Sequence, residues 1–209
     1  MPLSQAQTKV RKISGVIRMT ATVHDSTQAP VYARLSEGSE APDFTLPAIV
    51  PNSASPAEVE SDIDSQETSI TLSDVLKGGR KVVLYFYPAA MTPGCTTEAC
   101  DFRDNLARLA SKHVTVLGVS KDSLAKLRKF AQRDHLTFPL LSDPDLTVHK
   151  LYGAYGEKKL YGKVHVGVIR STLVINPDGS VAIARYNVRA KGHVDSLLKA
   201  LEKLEKLEK

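Results

Sequence analysis

Both cysteines of this 209-residue chain lie close together, in a stretch suited to presenting a reactive thiol. The stretch runs from Pro88 to Cys100, and Thr, Pro and Gly immediately precede Cys95. A turn of this composition packs poorly in a hydrophobic core but presents a side chain well. Thiolates are nucleophiles and pairs of thiols form disulfides, so redox chemistry is the first hypothesis for Cys95 and Cys100. The alternative is that Cys95 is a small buried core residue, as many intracellular cysteines are.

A predicted strand and a predicted helix flank this turn and would position Cys95. The run from Lys81 to Tyr87 is β-branched and aromatic, which predicts a buried strand. After Cys95 the apolar residues recur every three or four positions, which predicts a helix capped by Thr96 or Thr97. These apolar residues are Ala99, Phe102, Leu106 and Leu109. Cys95 would then lie in the first turn of the helix, where unpaired N–H groups and the helix dipole stabilise an anion such as a thiolate.

The stretch resembles the active-site loop of peroxiredoxins, in which a proline, a threonine and a cysteine follow one another at fixed spacing. Pro88, Thr92 and Cys95 match that pattern. The continuation is similar to the bacterioferritin comigratory protein group, also called the Q type, whose second cysteine is matched by Cys100. The likeness extends from about residue 37 to about residue 201 and includes Gly-Val-Ile-Arg-Ser-Thr-Leu-Val-Ile-Asn at 167–176.

The resemblance implies a thiol peroxidase that reduces hydrogen peroxide and organic hydroperoxides. Cys95 would be the peroxidatic cysteine, which becomes a sulfenic acid, and Cys100 would be the resolving cysteine, which closes an intramolecular disulfide. Thioredoxin or a similar dithiol reductant would restore both thiols. Where members of the group often carry charged residues after the leading proline, this chain has Ala-Ala-Met at 89–91, so we expect an apolar mouth that admits organic hydroperoxides.

The resemblance also implies which groups assist Cys95. The Thr92 hydroxyl and the Arg170 guanidinium, together with backbone N–H groups, would donate hydrogen bonds to the charge that develops on the peroxide oxygens. Supporting roles fall to Pro88, Pro93, Gly94 and Glu98. The prolines would shape the loop and keep water out. The glutamate would either orient an arginine or satisfy the positive end of the helix dipole.

The order of predicted elements is that of the thioredoxin-like fold, an α/β fold in which a central mixed β-sheet is flanked by helices on both faces. The Cys95 helix and a second strand at 114–119 complete a βαβ unit. Residues 169–175 and 181–186 flank the turn sequence Asn-Pro-Asp-Gly, which predicts an antiparallel hairpin. The other predicted elements are a strand near 44–46, a helix from Ser73, a helix capped by Ser123, a strand at 138–141, a helix at 146–151, a turn at 153–156 and a last helix from about Val194.

We expect one peroxiredoxin domain over residues 37–206. Residues 1–36 are basic or polar and aperiodic, which predicts a disordered N-terminal extension, and residues 207–209 form a short tail. Residues from about 50 to 69 are rich in Ser, Pro and acidic residues and contain no basic one, which predicts a solvated loop insertion. Its two interpretations are a tolerated surface insertion and a contact for a partner.

Charge and hydropathy argue against nucleic-acid and membrane partners. The formal net charge is +5, but residues 1–18 contain four basic residues and no acidic one, so the rest of the chain carries only the remaining +1. No apolar run reaches the roughly 18 residues that span a membrane, and the N-terminus lacks the apolar core of a secretory signal. We therefore expect a cytoplasmic protein. An organelle transit peptide and a true start at Met19 are the alternatives for the basic N-terminal segment.

Several other functions are weighed against the peroxidase. Two cysteines cannot complete a four-ligand zinc site and the histidines show no clustered spacing, so we expect no metal and no cofactor. A Cys-His hydrolase would need His165 or His193 beside Cys95, and no sequence signature supports either. A thiol redox sensor or holdase would use the same cysteines without sustained turnover, and a nucleic-acid-binding module would rely on the basic segment. We expect a monomer, with a dimer as the alternative.

Overall fold

The computed structural model describes residues 32–51, 65–160 and 163–207. The strands of these residues are β1 (Thr45–Pro51), β2 (Ser65–Thr71), β3 (Lys81–Phe86), β4 (Val114–Ser120), β5 (Leu140–Ser142), β6 (Tyr155–Leu160), β7 (Lys163–Val168), β8 (Ser171–Ile175) and β9 (Val181–Tyr186). The helices are α1 (Leu72–Leu76), α2 (Pro93–Asp104), α3 (Leu106–Ser111), α4 (Leu124–Arg133), α5 (Thr147–Leu151) and α6 (His193–Leu207).

A seven-stranded mixed sheet, ordered β2-β1-β5-β4-β3-β8-β9, forms the centre of the fold. Strand β3 pairs in parallel with β4 and antiparallel with β8, and its residues from Val82 to Phe86 are buried. Successive side chains of a strand point to opposite faces, so β3 contributes to two core clusters. Val83 and Tyr85 belong to the cluster that contains residues of α2, α4 and α6, whereas Leu84 and Phe86 belong to the cluster with residues of α1 and α5. The predicted fold class, a mixed sheet with helices on both faces, is confirmed.

Several local predictions are also confirmed. The apolar run that ends at Tyr87 forms β3, and β8 and β9 form the antiparallel hairpin predicted around residues 176–179. The predicted capping residue Ser123 occupies the N-cap position of α4. These segments have strong local signals, because β-branched runs and turn sequences specify their structure without help from distant residues.

The cap and the length predicted for the Cys95 helix are wrong. Thr92 is the N-cap of α2, whereas Thr96 and Thr97 lie inside the helix. The helix begins with Pro93, a residue well suited to the first helical position because its missing N–H would have no intrahelical acceptor there. The periodicity also suggested one helix through residue 109, but the helix is interrupted at Asn105, between α2 and α3. The side-chain amide of Asn105 donates to the Asp101 carbonyl oxygen at 2.8 Å.

The loop predicted at about 50–69 is partly β-structure. Val50 and Pro51 belong to β1, and residues 65–69 belong to β2, which pairs antiparallel with β1. The side chains of residues 66–69 are exposed and polar, and this composition suggested a loop. They belong to an edge strand, whose backbone pairs with β1 while its polar side chains face solvent. Residues 52–64 lie outside the described residues, so a loop insertion there stays a prediction.

The hairpin formed by β6 and β7 was not predicted. The glycines at 153 and 156 favoured a turn, yet Tyr155 and Gly156 already pair with β7. Strand β6 has no apolar alternation, but β7 alternates, with valines at 164, 166 and 168, so a strand signal was present there and was overlooked.

The described residues begin before the predicted start of the domain at residue 37. The Leu35 backbone N–H donates to the Tyr186 hydroxyl at 2.9 Å, so residues just before 37 already contact the sheet. Residues 1–31 of the extension predicted over 1–36, and residues 208–209 of the predicted tail, lie outside the described residues. Among the helices that the structure describes, none has the length and apolar content to cross a membrane.

Candidate active site

A short turn, residues 87–92, joins β3 to α2. The Tyr87 N–H still bonds to β4, through the Val119 carbonyl oxygen at 3.0 Å, after which Pro88 has no N–H to continue the ladder. Met91 adopts a left-handed backbone conformation (φ 65°), which is uncommon for a residue with a side chain. The turn therefore holds a strained backbone directly before the helix that carries both cysteines.

The first turn of α2 presents Cys95 as predicted. Pro93, Gly94 and Cys95 are the first three helical residues, and the N–H groups of Gly94 and Cys95 have no acceptor inside the helix. Thr92 does not cap the helix with its side chain; its Oγ1 donates instead to the Ala89 carbonyl oxygen at 2.9 Å. The helix N-terminus thus offers free donors and the positive end of its dipole next to the thiol.

A buried ion pair lies against the Cys95 sulfur. Arg170 Nη2 donates to Cys95 Sγ at 3.2 Å, and Arg170 Nη1 donates to Glu98 Oε2. Cys95 is 2% exposed and Glu98 is 0% exposed, so both contacts are shielded from water. Glu98 follows Cys95 by three residues and therefore shares its face of α2, while the pairing of β8 with β3 brings Arg170 across from a distant part of the sequence. Cationic charge and helix N–H groups together stabilise a thiolate at this position.

The carboxyl of this pair titrates near neutrality. Burial raises the pKa of Glu98 to about 7, although the charge of Arg170 opposes the shift. Burial also opposes the charge on Arg170, but the carboxylate of Glu98 and the sulfur of Cys95 raise the pKa of the guanidinium. Burial raises the pKa of Tyr85 well above its usual value, so this neighbouring phenol stays neutral. Within the described residues, the Tyr85 hydroxyl and Glu98 Oε1 are buried without a hydrogen-bond partner.

Gly94 allows Arg170 to lie over the helix start. A Cβ added at Gly94 would lie 3.6 Å from Arg170 Nη2 and 3.8 Å from the Ala190 Cβ, which are ordinary contact distances. A larger side chain would extend further into the space between Arg170 and Ala190. The absence of a side chain therefore keeps this side of the helix start open.

Cys100 lies on the same helix as Cys95, but no hydrogen bond joins it to Cys95, Glu98 or Arg170. It is half-buried, and burial raises the pKa of its thiol although Arg103 opposes the shift. Two arginines tie this part of α2 to the end of α4. Arg103 Nη1 donates to the Asp134 carbonyl oxygen at 2.6 Å, and Arg133 Nη2 donates to Thr96 Oγ1 at 2.9 Å.

The structure brings most of the predicted site residues together around the start of α2, and neither candidate histidine donates a hydrogen bond to Cys95 Sγ, which accepts from Arg170. His193 Nε2 is 2.9 Å from the Thr172 hydroxyl, and burial, with the charges of Arg185 and Arg170, lowers the pKa of His193 to about 4. His165 is exposed on β7. The hydrogen bond to Cys95 Sγ comes from a guanidinium, so the geometry offers no support for a Cys-His hydrolase.

Sequence reasoning missed Asp122, which lies behind the turn at the end of β4. Its Oδ2 accepts the Ala90 N–H at 2.6 Å. The signal was available, because the carboxyl ends of parallel strands meet at one edge of a sheet, and Asp122 follows β4 as the turn follows β3. Within the described ranges, no three Cys, His, Asp or Glu side chains come together as metal ligands.

Residues 38–184 match the AhpC/TSA family. A Mycobacterium tuberculosis protein assigned to the peroxiredoxins is 48% identical over 168 residues, which cover 80% of this chain and 96% of that protein. The chain belongs to the AhpC/TSA family of peroxiredoxins. Peroxiredoxin Bcp of Escherichia coli is 37% identical over 168 residues, which cover 80% of this chain and 96% of the relative.

Solved structures place this peroxiredoxin in the Q group. The bacterioferritin comigratory protein of Xanthomonas campestris, described for its alkyl peroxide reduction activity, is 38% identical with a TM-score of 0.60, over 65% of this chain and 85% of that one. Peroxidoxin BcpB of Mycobacterium tuberculosis is 35% identical with a TM-score of 0.63, over 81% of this chain and 98% of that one. The peroxiredoxin is therefore a thiol peroxidase, which takes a hydroperoxide as substrate and a thiol as reductant.

Proposed function

We propose that this peroxiredoxin reduces hydroperoxides through a sulfenic acid on Cys95, which Cys100 resolves as an intramolecular disulfide. The observation that carries the proposal is the 3.2 Å contact between Arg170 Nη2 and the buried Cys95 Sγ in the first turn of α2. A guanidinium held there by a buried carboxylate stabilises the attacking thiolate. It also stabilises the negative charge that develops on the peroxide oxygens.

In the first step, the Cys95 thiolate attacks one oxygen of the hydroperoxide. An S–O bond forms, the O–O bond breaks, and the sulfur is oxidised to a sulfenic acid. The second oxygen leaves as hydroxide or alkoxide and takes up a proton to become water or an alcohol. Arg170 and the free N–H groups of Gly94 and Cys95 are the donors for the charge on the two oxygens.

Thr92 orients the hydroperoxide in this scheme. Because Thr92 Oγ1 donates its proton to the Ala89 carbonyl oxygen, its own oxygen is available as an acceptor for the peroxide O–H. This differs from the donor role expected from the resemblance. Pro88 and Pro93 support the site by fixing the backbone on both sides of the turn.

The mouth of the site favours organic hydroperoxides alongside hydrogen peroxide. Ala90 is buried, Ala89 and Met91 are half-buried, and Met91 packs against the core cluster that contains Cys95. An alkyl chain that moves from water onto an apolar rim of this kind gains the favourable free energy of hydrophobic burial. The alkyl peroxide reduction activity described for the Xanthomonas campestris relative supports the same substrate class.

The second step requires α2 to open. Both cysteines lie in the continuous helix Pro93–Asp104, where five residues separate their Cα atoms by about 8 to 9 Å. A disulfide needs about 4.4 to 6.8 Å. The first turn of α2 must therefore unwind after Cys95 is oxidised, so that the Cys100 thiol attacks the sulfenic sulfur, the S–S bond forms and water leaves. The raised pKa of Cys100 keeps it a thiol while the helix is intact.

A dithiol reductant, thioredoxin or a similar protein, then closes the cycle. One of its thiolates attacks the Cys95–Cys100 disulfide, its second thiol resolves the mixed disulfide, and both cysteines of the peroxiredoxin are returned as thiols. Unwinding of α2 exposes the disulfide to such a partner.

A coupled assay with thioredoxin, thioredoxin reductase and NADPH tests the proposal. Wild-type protein should consume NADPH continuously with added hydroperoxide, and Cys95→Ser should consume none. Cys100→Ser should reduce one equivalent of peroxide and then stop. Oxidation of the wild-type protein without sustained NADPH loss would favour the redox sensor or holdase, and turnover by Cys95→Ser would overturn the assignment of the nucleophile.

A further inference from the structure

A buried carboxylate that does not contact Cys95, Glu98 or Arg170 holds the turn that leads to Cys95. Asp122 lies just after β4, and its side chain is 7% exposed. Its Oδ2 accepts the Ala90 backbone N–H at 2.6 Å and the Ser120 hydroxyl at 3.1 Å. Its Oδ1 accepts from Lys126 Nζ at 2.6 Å, and its carbonyl oxygen accepts from the Ser142 hydroxyl at 2.7 Å. Hydrogen bonds to both carboxylate oxygens thus fix the Asp122 side chain, with Oδ2 directed at the turn.

The hydrogen bond from Ala90 falls in the middle of a backbone that is otherwise poorly anchored. On one side Pro88 provides no N–H, and on the other side Met91 is in the left-handed region with φ 65°. The residue just before Ala90 contributes its carbonyl oxygen to the Thr92 hydroxyl at 2.9 Å. A shift of Ala90 would therefore move the acceptor that orients Thr92.

We propose that Asp122 is a positioning residue for the peroxidase reaction, which acts by fixing Ala90 and, through the Ala89 carbonyl, the direction of the Thr92 hydroxyl. The inference rests on the proposed function, in which Thr92 receives the hydroperoxide at Cys95. Misplacement of an orienting group by about 1 Å can slow a reaction by about 10². The Cys95 thiolate itself is stabilised by Arg170, which Asp122 does not contact in the structure.

The prediction is a specific loss of peroxide reactivity. Asp122→Ala should slow the single-turnover reaction of Cys95 with hydroperoxide by about 10- to 100-fold, measured by competition with a haem peroxidase for limiting peroxide. The rate at which iodoacetamide alkylates Cys95 in the absence of peroxide should be the same in the variant and the wild type, because the contact of Arg170 with the sulfur is unchanged. Asp122→Asn keeps an acceptor for the Ala90 N–H, so it should restore the rate to within about fivefold of wild type. If Asp122→Ala does not fold, Asp122→Ser, whose hydroxyl is too short to reach Ala90, replaces it with the same expected loss.

Two controls separate positioning from general destabilisation. Lys126→Met breaks the ion pair of Asp122 but leaves the Ala90 contact, and its rate should stay within about threefold of wild type. Asp43 Oδ1 also accepts backbone N–H groups, from Phe44 and Ser73 at 2.9 Å each, but at the start of α1. Asp43→Ala should therefore lower the unfolding temperature without slowing the peroxide reaction.

The outcomes distinguish this inference from the proposed function. Asp122→Ala that reacts within about twofold of wild type, or Asp43→Ala that slows as much as Asp122→Ala, would overturn the positioning role while leaving Cys95 as the nucleophile. A changed rate of alkylation of Cys95 in Asp122→Ala would do the same, because the residue would then act on the thiol rather than on substrate alignment. A wild-type protein that fails to react with hydroperoxide at all would overturn both proposals.

Discussion

Replacement of Glu98 by Gln should remove a loss of stability that the wild-type protein undergoes as the pH rises through about 7, and should make the protein less reactive. Glu98 is fully buried, and its pKa is raised from 4.5 to about 7. The folded protein therefore binds the carboxyl proton more tightly than the unfolded chain does. The stability this provides is fully present below about pH 4.5 and is lost as the pH rises through about 7, a loss of about 3 kcal/mol. Glu98→Gln is neutral at every pH, so its free energy of unfolding should lack this decline.

Urea denaturation at several values between about pH 5 and about pH 8 measures the effect as the difference between the two proteins. The difference should grow in favour of Glu98→Gln as the pH rises. At about pH 8 the variant should also react with hydroperoxide roughly tenfold more slowly, because a neutral amide holds Arg170 less firmly than a carboxylate does. Glu205→Gln, which replaces a partly exposed glutamate paired with Lys112, is the matched control and should follow the wild-type curve. Parallel stability curves for wild type and Glu98→Gln would refute the argument that burial controls the titration of this carboxyl.

Three further substitutions test other parts of the site. Thr92→Val removes the acceptor that orients the hydroperoxide and should slow the first reaction by roughly 10² in stopped-flow measurements, whereas a change below about threefold would remove Thr92 from the site. Thr96→Val makes the same chemical change outside the proposed substrate contacts, and it breaks the 2.9 Å hydrogen bond from Arg133. It should leave the peroxide reaction unchanged but speed disulfide formation by up to about fivefold. Unchanged disulfide kinetics would show that this contact does not restrain α2. Gly118→Ala would place a Cβ 2.8 Å from the Tyr85 ring and should cost about 1 to 3 kcal/mol in urea denaturation, and a neutral effect would mean that the ring shifts freely.

The parts of the fold with strong local signals were predictable from the sequence. The apolar run of β3 and the turn sequence between β8 and β9 specify their structures within a few residues. Strands β2 and β6 lack a period-2 apolar pattern, and they are strands because β1 and β7 pair with them. Strand β7 does carry the pattern, in the alternating valines at 164, 166 and 168, and was predictable.

The candidate site divides in the same way. The position of Cys95 in the first turn of a helix followed from the strand, turn and helix signals around it. Glu98 lies beside Cys95 because it follows three residues later on the same helix, whereas the proximity of Arg170 was expected from the family resemblance alone, because it depends on the pairing of β8 with β3. Asp122 was missed although its place after β4 put it at the same sheet edge as the turn, because that signal gives its position but not the backbone N–H that it accepts.

The most direct test of the central claim is to locate the oxygen atom delivered by the first peroxide molecule. Cys100→Ser protein is treated with one equivalent of hydroperoxide, trapped with a sulfenic-acid reagent, digested and mapped by mass spectrometry. The adduct should lie on Cys95, and the wild-type protein should form a disulfide between Cys95 and Cys100 within one chain. Oxidation that maps to another residue while Cys95 stays reduced would show that Cys95 is not the nucleophile.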